Sequence, residues 1–556
     1  MAKKKIFWIQ KLEDGMNQAV DPALAGNSES PLLKNITLDQ VGNWCNRCGT
    51  AKLGSTTAGT ERVWGLGTYE STTGTHTFFR VDNRDLEKYD GSTNWDIVDT
   101  DQFTASRRVN FCNFLNRMYC GQEFVTADTP MALGYTTGTT VTSVVPTLTG
   151  HMLAVNQDVL AVGGNNLKPN IIFYSDAFTD NFYSATGTCS ANADSNGANT
   201  VVTTASVFEA DMVGGIIYNT TLSEMNYIKS WTNATVPYLT TDAATATWDD
   251  DTVYVLQNTF KQDGKVTGIT AYQENFVSFD EDNMYVWDPL SEYRRKIPNA
   301  GCVNDRTIQI VNSSLVWVNR EGIMLWNGQG LPTCISKKIT DDVDKYGIWN
   351  LINQGNWGQL ASGTFRGKYY LSVGDLTTLA GAPASAITNA EIVIDLDRGT
   401  CVLNSRDDEP VCYSTFIDST GEKALYYGEK TNVAVYKLNT GTTDDDSADA
   451  AAAFAVEARS PHYSMPNQTV KWRPSAFFVK YKSSETVTVS VSTDREAYTT
   501  LDTLAASSSI TVARIEPITD IDAFTYSLKF TVTGTVSIEA IGFEVSNLNT
   551  FGGPST

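Results

Sequence analysis

Cys45 and Cys48, in the run WCNRCG, are the first residues whose spacing suggests chemistry. A C-x-x-C after a tryptophan does redox work when the first thiol caps a helix that follows a strand, because the helix N-terminus stabilises the thiolate. No strand-then-helix pattern surrounds this pair. A zinc site needs two further ligands, and neither Cys112 and Cys120 nor His76, His151 and His462 lie at finger spacing from it. The three histidines fall in three different expected elements, and no G-x-S-x-G turn offers a nucleophile beside one of them. The run STDREAY, Ser492 to Tyr498, faintly resembles the S-x-D-x-G-x-x-W turn of sialidases. It has Glu496 where the glycine belongs, lacks the tryptophan and occurs once. Acids cluster at Asp249, Asp250 and Asp251, at Asp280, Glu281 and Asp282, and at Asp444, Asp445 and Asp446. None carries the glycine and closing glutamate of a calcium loop, so solvated turns are expected. GLGTYESTTG at 65–74 has the wrong spacing for a phosphate loop. No catalytic, cofactor-binding or metal-binding residue is assigned, no cofactor is expected, and the chain is not read as an enzyme.

The elements around these residues are strands. The chain has 556 residues, of which 41% are hydrophobic and 11% aromatic, enough for large cores. Apolar residues at helical spacing are rare. Short runs rich in Val, Ile, Thr, Tyr and Phe recur instead, separated by Gly, Asn, Asp and Ser, which is an all-β pattern. One theme repeats: a strand, a polar turn, a second strand, another turn, then an aromatic strand closing on Asp, Asn or Gly. In the clearest pair, from Thr267 and from Arg306, Asn275 matches Asn312, Phe279 matches Val318 and Trp287 matches Trp326. About seven such copies, each of roughly 40–50 residues, point to a β-propeller, with six or eight blades also open.

Six segments follow. Residues 1–60 form an extended arm, with few strand signals, that wraps on its own propeller or reaches a neighbour. Residues 61–180 and 261–441 carry the blades, and 181–260 read as an inserted small β-barrel. An acidic, alanine-rich linker or short helix spans 442–459. From 460 to 556 clean alternation, as at Val487, Val489 and Val491, predicts a β-sandwich.

Charge and apolar runs bound the partners. Lys and Arg total 41 against 63 Asp and Glu, a net charge of −22. Tight nucleic-acid binding needs clustered cations, so a general DNA binder is disfavoured. A surface that DNA slides past remains open. Apolar runs such as Leu315 to Val318 fall far short of the ~20 residues of a spanning helix. Three lysines and Ile6 to Ile9 do not complete an export signal. A cytoplasmic origin is expected, with nine scattered cysteines (45, 48, 112, 120, 189, 302, 334, 401 and 412) as reduced thiols.

The opening DGMNQAVDPALAGNSESPLLKNITLDQVGNWCNRCGTAKLG resembles the start of bacteriophage virion proteins with a propeller core, the tail nozzle and packaged-DNA stabilisation proteins of short-tailed phages. The matching positions are Gly15, Asn17, Asp21, Pro22, Pro31, Asn35, Arg47 and Gly49. Residues 301–339 resemble that family's most recognisable blade, through Arg306, the V-W-V-N-R-E-G-I turn and the Ile335-Ser336 pair. The C-x-x-C departs from it.

The resemblance implies a virion protein of the viral tail, acting in genome ejection. It implies a homo-oligomeric ring, a hexamer by preference, below the portal and adaptor, with contacts to tail fibre proteins. Double-stranded DNA would pass without tight binding, since acids facing a lumen repel phosphates. Two other classes stand beside it: a receptor-binding or fibre-adaptor tail protein, and a propeller glycosidase.

Overall fold

A computed structural model describes residues 5–545, apart from segments 20–24, 56–61, 125–130, 190–199, 233–237, 242–247, 341–346, 377–386, 446–450, 465–470 and 518–521 and positions 11, 40, 204, 206, 249 and 292. Asp21, Pro22, Asp249 and Asp446, named above, lie outside the described residues. The fold is all-β. No helix among the described residues is long and apolar enough to cross a membrane.

Seven units of four antiparallel strands follow one another among the described residues. The first six begin at Val63, Val109, Met152, Gly268, Gln309 and Ala361. The seventh takes three strands from Pro410–Ile417, Lys423–Glu429 and Val435–Leu438. Its fourth strand is Thr50–Lys52, delivered by the arm, with Tyr436 opposite Lys52 and Leu438 opposite Thr50. Four of the hairpins joining first to second strands turn on two residues that both have positive φ: Leu115-Asn116, Gln157-Asp158, Asn312-Ser313 and Arg366-Gly367. Such turns match the right-handed twist of the strands they join. The recurring polar turn in the sequence is therefore a recurring hairpin geometry.

Alternation along each strand leaves both faces of a unit apolar, so each unit needs a neighbour on either side. Every seam between consecutive units holds its own core. Trp64, Phe79 and Met118 fill the first seam, and Phe276, Trp287 and Ile172 the third. Tyr370, Leu425 and Tyr427 fill the sixth. The seventh joins the last unit back to the first through Val63, Phe78, Val411 and Tyr426, with Phe78 stacked on Phe416 at 4.9 Å. First strands adjoin in order from unit one to unit four and from unit five to unit seven, the turn Asp305–Thr307 meets the first strand of unit four, and Pro410–Ile417 adjoins Val63–Glu70. Glycine allows the closest approaches. A Cβ on Gly67 would lie 2.6 Å from the Phe111 ring, and one on Gly428 would lie 2.6 Å from Val63.

The segment read as an inserted barrel is a six-stranded antiparallel sheet entering after the third strand of unit three. The chain returns as Thr259–Lys261 to complete that unit. A lone antiparallel bridge, Cys189 to Thr203, lies just past its two end strands.

The arm packs on its own chain, one of the two expected placements, but it is built of short strands that knit the molecule together. Lys5–Gln10 and Trp44–Asn46 both pair with Val536–Val545. Leu32–Lys34 pairs with Ala455–Arg459 on one side and with the sixth unit at Leu403 on the other, so one ten-stranded sheet runs from that unit into the C-terminal region. The expected linker also differs. It contains strands Asp444–Asp445 and Ala451–Ala452, and Ala455–Arg459 already belongs to the C-terminal sheets. Those sheets face each other across a core that includes Trp44, Phe477, Val489, Phe530 and Phe543.

Candidate functional site

The first strands of all seven units line a cavity of ≈ 250 Å³ at the hub, with Leu66, Asn110, Met152, Thr270, Arg306, Ser362 and Tyr413 among its walls. Arg306 follows Asp305 in a short 3-10 turn ahead of the first strand of unit five. Asn304 caps that turn by accepting from the Arg306 backbone N–H at 3.1 Å.

The Arg306 side chain crosses the hub. Nη2 donates to the carbonyl of Trp64 at 2.7 Å in unit one, and Nη1 to the carbonyl of Val411 at 2.9 Å in unit seven. A longer contact reaches the carbonyl of Val109 at 3.5 Å in unit two. Burial, followed by the neighbouring Arg108, brings its pKa down to about 10. The guanidinium stays charged at neutral pH and acts as a cross-link between units distant in sequence.

Its neighbours are committed in the same way. Arg108 forms a two-pronged pair with Glu123 at 2.8 and 2.7 Å and donates to Asn304 Oδ1 at 3.1 Å. Burial opposes the Glu123 charge, but the Arg108 fork outweighs it and holds the carboxyl at about 2. Asn110 donates to Asp305 at 2.5 Å and to the His151 carbonyl at 2.9 Å. Ser362 Oγ donates to the Arg306 carbonyl at 2.8 Å, and Tyr413 donates to Glu391 at 2.7 Å. These groups bind peptide carbonyls and one another, a chemistry of fastening.

Three further buried pairs fasten other joints. Arg80 pairs with Glu87 at 2.6 Å and donates to the Val433 carbonyl at 2.8 Å, across the closing seam. Arg406 pairs with Glu391 at 2.5 Å. Arg47 grips Asp444 with both terminal nitrogens, donates to Asn35 Oδ1 at 3.0 Å and stacks on Phe454 at 3.9 Å. Asn35 has positive φ and ties Ala455 and Ser405 to the arm at 2.7 and 2.8 Å. Ser336 Oγ accepts from the Ile323 N–H at 2.8 Å. Asn35, Arg47, Arg306 and Ser336, singled out in the sequence, are thus all structural fasteners in this chain.

The other residues singled out in the sequence lie apart. Cys45 sits on a strand with Sγ 3.5 Å from Ser537 Oγ, and burial pushes its pKa up, while Cys48 is exposed. Cys112 and Cys120 are on paired strands of unit two, at adjacent registers, Cys112 opposite Tyr119 and Cys120 opposite Phe111. His76 Nδ1 is 3.3 Å from Glu70. His151 is buried near the hub, and His462 Nδ1 is 3.3 Å from Thr525 Oγ1 in the C-terminal sheets. Ser492 to Tyr498 forms a strand-to-strand turn in which Asp494 accepts from the Phe524 and Thr525 N–H groups at 2.8 and 2.9 Å. Asp280 accepts from Tyr285 at 2.8 Å and Asn283 N–H at 2.6 Å, and Asp251 accepts from Asn219 at 2.8 Å. No group of three potential ligands is poised for a metal among the described residues.

The roles of Arg80 and Arg406 had no sequence signal beyond an arginine inside or beside an apolar strand.

No family model and no curated protein matches the chain. Among solved structures, an extracellular domain assigned to a one-component system of B. thetaiotaomicron is similar over 88% of this chain, at 8% identity and a TM-score of 0.36; the chain spans 60% of that domain. A family 29 carbohydrate-binding module, solved with cellulohexaose, is similar over 16% of this chain and 61% of its own length, at 13% identity and a TM-score of 0.13. Neither likeness is close enough to bear on fold or function.

Proposed function

We propose that the seven units are the blades of a seven-bladed β-propeller, closed by the arm strand Thr50–Lys52, and that the inserted sheet is a small barrel drawn together at Cys189 and Thr203. On this proposal the chain is a structural virion protein of a bacteriophage tail. Copies assemble into a homo-oligomeric ring, a hexamer by preference, that guides genomic DNA out and docks portal, adaptor and fibre proteins.

The observation that carries the proposal is the cross-link of Arg306 to units one, two and seven. A hub fastened by an arginine to peptide carbonyls is built to hold shape. It also excludes a duplex from the axis of a single copy, so the passage for DNA lies between copies, where a chain of net charge −22 repels phosphates. Heterologous contacts between copies close such a ring by rotation.

Mass photometry of the purified chain tests it. A dominant species at six times 60.8 kDa is expected. Monomers alone at micromolar concentration overturn the ring.

The receptor-binding or fibre-adaptor alternative is favoured by one surface. Trp8 packs on Phe478 with ring centroids 5.7 Å apart, beside exposed Ile6 and Val512 on one outer sheet face. Loss of fibre or glycan binding on Trp8→Ala would mark it as a docking face.

A further inference from the structure

Beside the hub, two buried N–H donors that touch each other's side chains have no acceptor. Arg62 leads into the first strand of unit one, and its guanidinium carbon stands 3.8 Å over the Trp64 ring. Arg62 Nε and Trp64 Nε1 are both buried and both without a hydrogen-bond partner among the described residues. Trp64 is only 8% exposed. A buried donor left unmade keeps its full desolvation penalty, so native proteins rarely keep two side by side unless something else supplies the acceptor.

The surroundings say what that acceptor is. Trp64's own carbonyl is held by the Arg306 guanidinium, which also feels the charges of Arg108 and Arg62. Three guanidiniums therefore converge where units one, two, five and seven meet. The fields of Glu123 and Glu409 reach Arg62, but Arg108 occupies Glu123 and Lys430 pairs with Glu409 at 2.7 Å. Asp305 is occupied by Asn110. Arg306 has no carboxylate either but is satisfied by carbonyls, whereas Arg62 Nε has neither a carboxylate nor a carbonyl partner among the described residues. Burial and then Arg108 lower its pKa, as expected of a cation whose neighbours are also cations.

We propose that Arg62 and Trp64 form a binding site for a small oxyanion, of the size and charge of inorganic phosphate, at the hub end where the first strands begin. The anion accepts from the guanidinium and the indole N–H, as arginine accommodates oxyanions by paired donors. It neutralises the excess positive charge gathered there and so braces the joint that Arg306 fastens. A basic site of this kind contrasts with the acidic balance of the whole chain.

The test is isothermal titration of the full chain with sodium phosphate at pH 7.5, against sodium chloride at matched ionic strength. Saturable binding of phosphate is expected, weakened at least tenfold in Arg62→Gln and less in Arg62→Lys, with the far-ultraviolet circular dichroism unchanged. Trp64→Phe keeps the ring and the charge but removes the indole donor. It should weaken binding several-fold, which keeps the site testable if Arg62→Gln fails to fold. Absence of saturable heat in the wild type, or wild-type affinity in both Arg62→Gln and Trp64→Phe, overturns the site.

Discussion

Arg306 Nη2 lies 2.7 Å from the carbonyl oxygen of Trp64, a residue 242 positions earlier in the chain. One side chain therefore connects the fifth unit to the first across the hub, and it meets the seventh through Val411. Hydrogen bonds to a charged group contribute about 1.5–3 kcal/mol each. Arg306→Met is expected to remove about 3 kcal/mol or more of stability, read as a lower urea midpoint. Arg306→Lys, with a single-headed cation, should recover only part. An unchanged midpoint in Arg306→Met would show that the hub is held by the seam cores alone.

The arm should behave as an integral part of the fold. Arg47 and Asp444 are almost fully buried, and removing one partner of such a pair strands the other at a cost of about 3–5 kcal/mol. Arg47→Met and Asp444→Leu should each destabilise strongly. The double variant should be less affected than the sum of the two, and a double-mutant cycle in urea measures the coupling. Additive losses would mean that the two residues act separately.

Much of this architecture was legible in the sequence, and the limits have physical causes. Val487, Val489 and Val491 alternate because one sheet face is dry, and all three are buried. Trp287 and Trp326 matched because each ends the third strand of a unit and packs into a seam. The arm was not legible as strands. Leu32–Lys34 and Thr50–Lys52 are three residues each, too short for any period to show, and their partners lie hundreds of positions away. The alanines have helical propensity, but Ala451–Ala452 pairs with Asp444–Asp445 and Ala455–Arg459 with a C-terminal strand, and that pairing overrides it. Arg47 and Arg306 stood out only through family resemblance, because an arginine that binds carbonyls has no spacing signature. Arg62 and Trp64 carried no signal, since their interest lies in partners that are missing.

Thiol reactivity should single out one cysteine. Burial pushes Cys120, Cys189, Cys302 and Cys401 up to about 12, where almost no thiolate exists at neutral pH. Cys48 is exposed. With Ellman's reagent at pH 8, one thiol of the native protein should react fast, and Cys48→Ser should abolish that phase. A second fast thiol at Cys45, or rapid disulfide formation between the two, would revive the redox reading of the C-x-x-C.

Stability should carry a pH signature from the seventh unit. Burial first, then the charge of Glu429, raises Asp408 to about 7. Tyr436 donates to Glu429 at 3.2 Å in the same cluster. A carboxyl whose folded pKa lies above its unfolded value binds its proton better when folded. Its contribution is therefore fully present at pH 3.8 and below and is lost progressively as pH rises towards 7. Urea midpoints should fall between pH 5 and 7.5, and Asp408→Asn should flatten that slope. Glu123, held at about 2 by Arg108 despite burial, works oppositely: its contribution is present above its ordinary value of 4.5 and lost as pH falls towards 2. An equal slope in wild type and Asp408→Asn would place the sensitivity elsewhere.

A cryo-electron-microscopy reconstruction of the purified full-length chain tests the central claim most directly. The expected map shows copies joined in a ring around an open passage. Within each copy, seven small sheets should surround a hub bridged by density for Arg306, with the arm strand at Thr50–Lys52 completing the seventh sheet. A map of solitary copies, or one in which the first and last units stand apart with an open hub between them, would contradict the account.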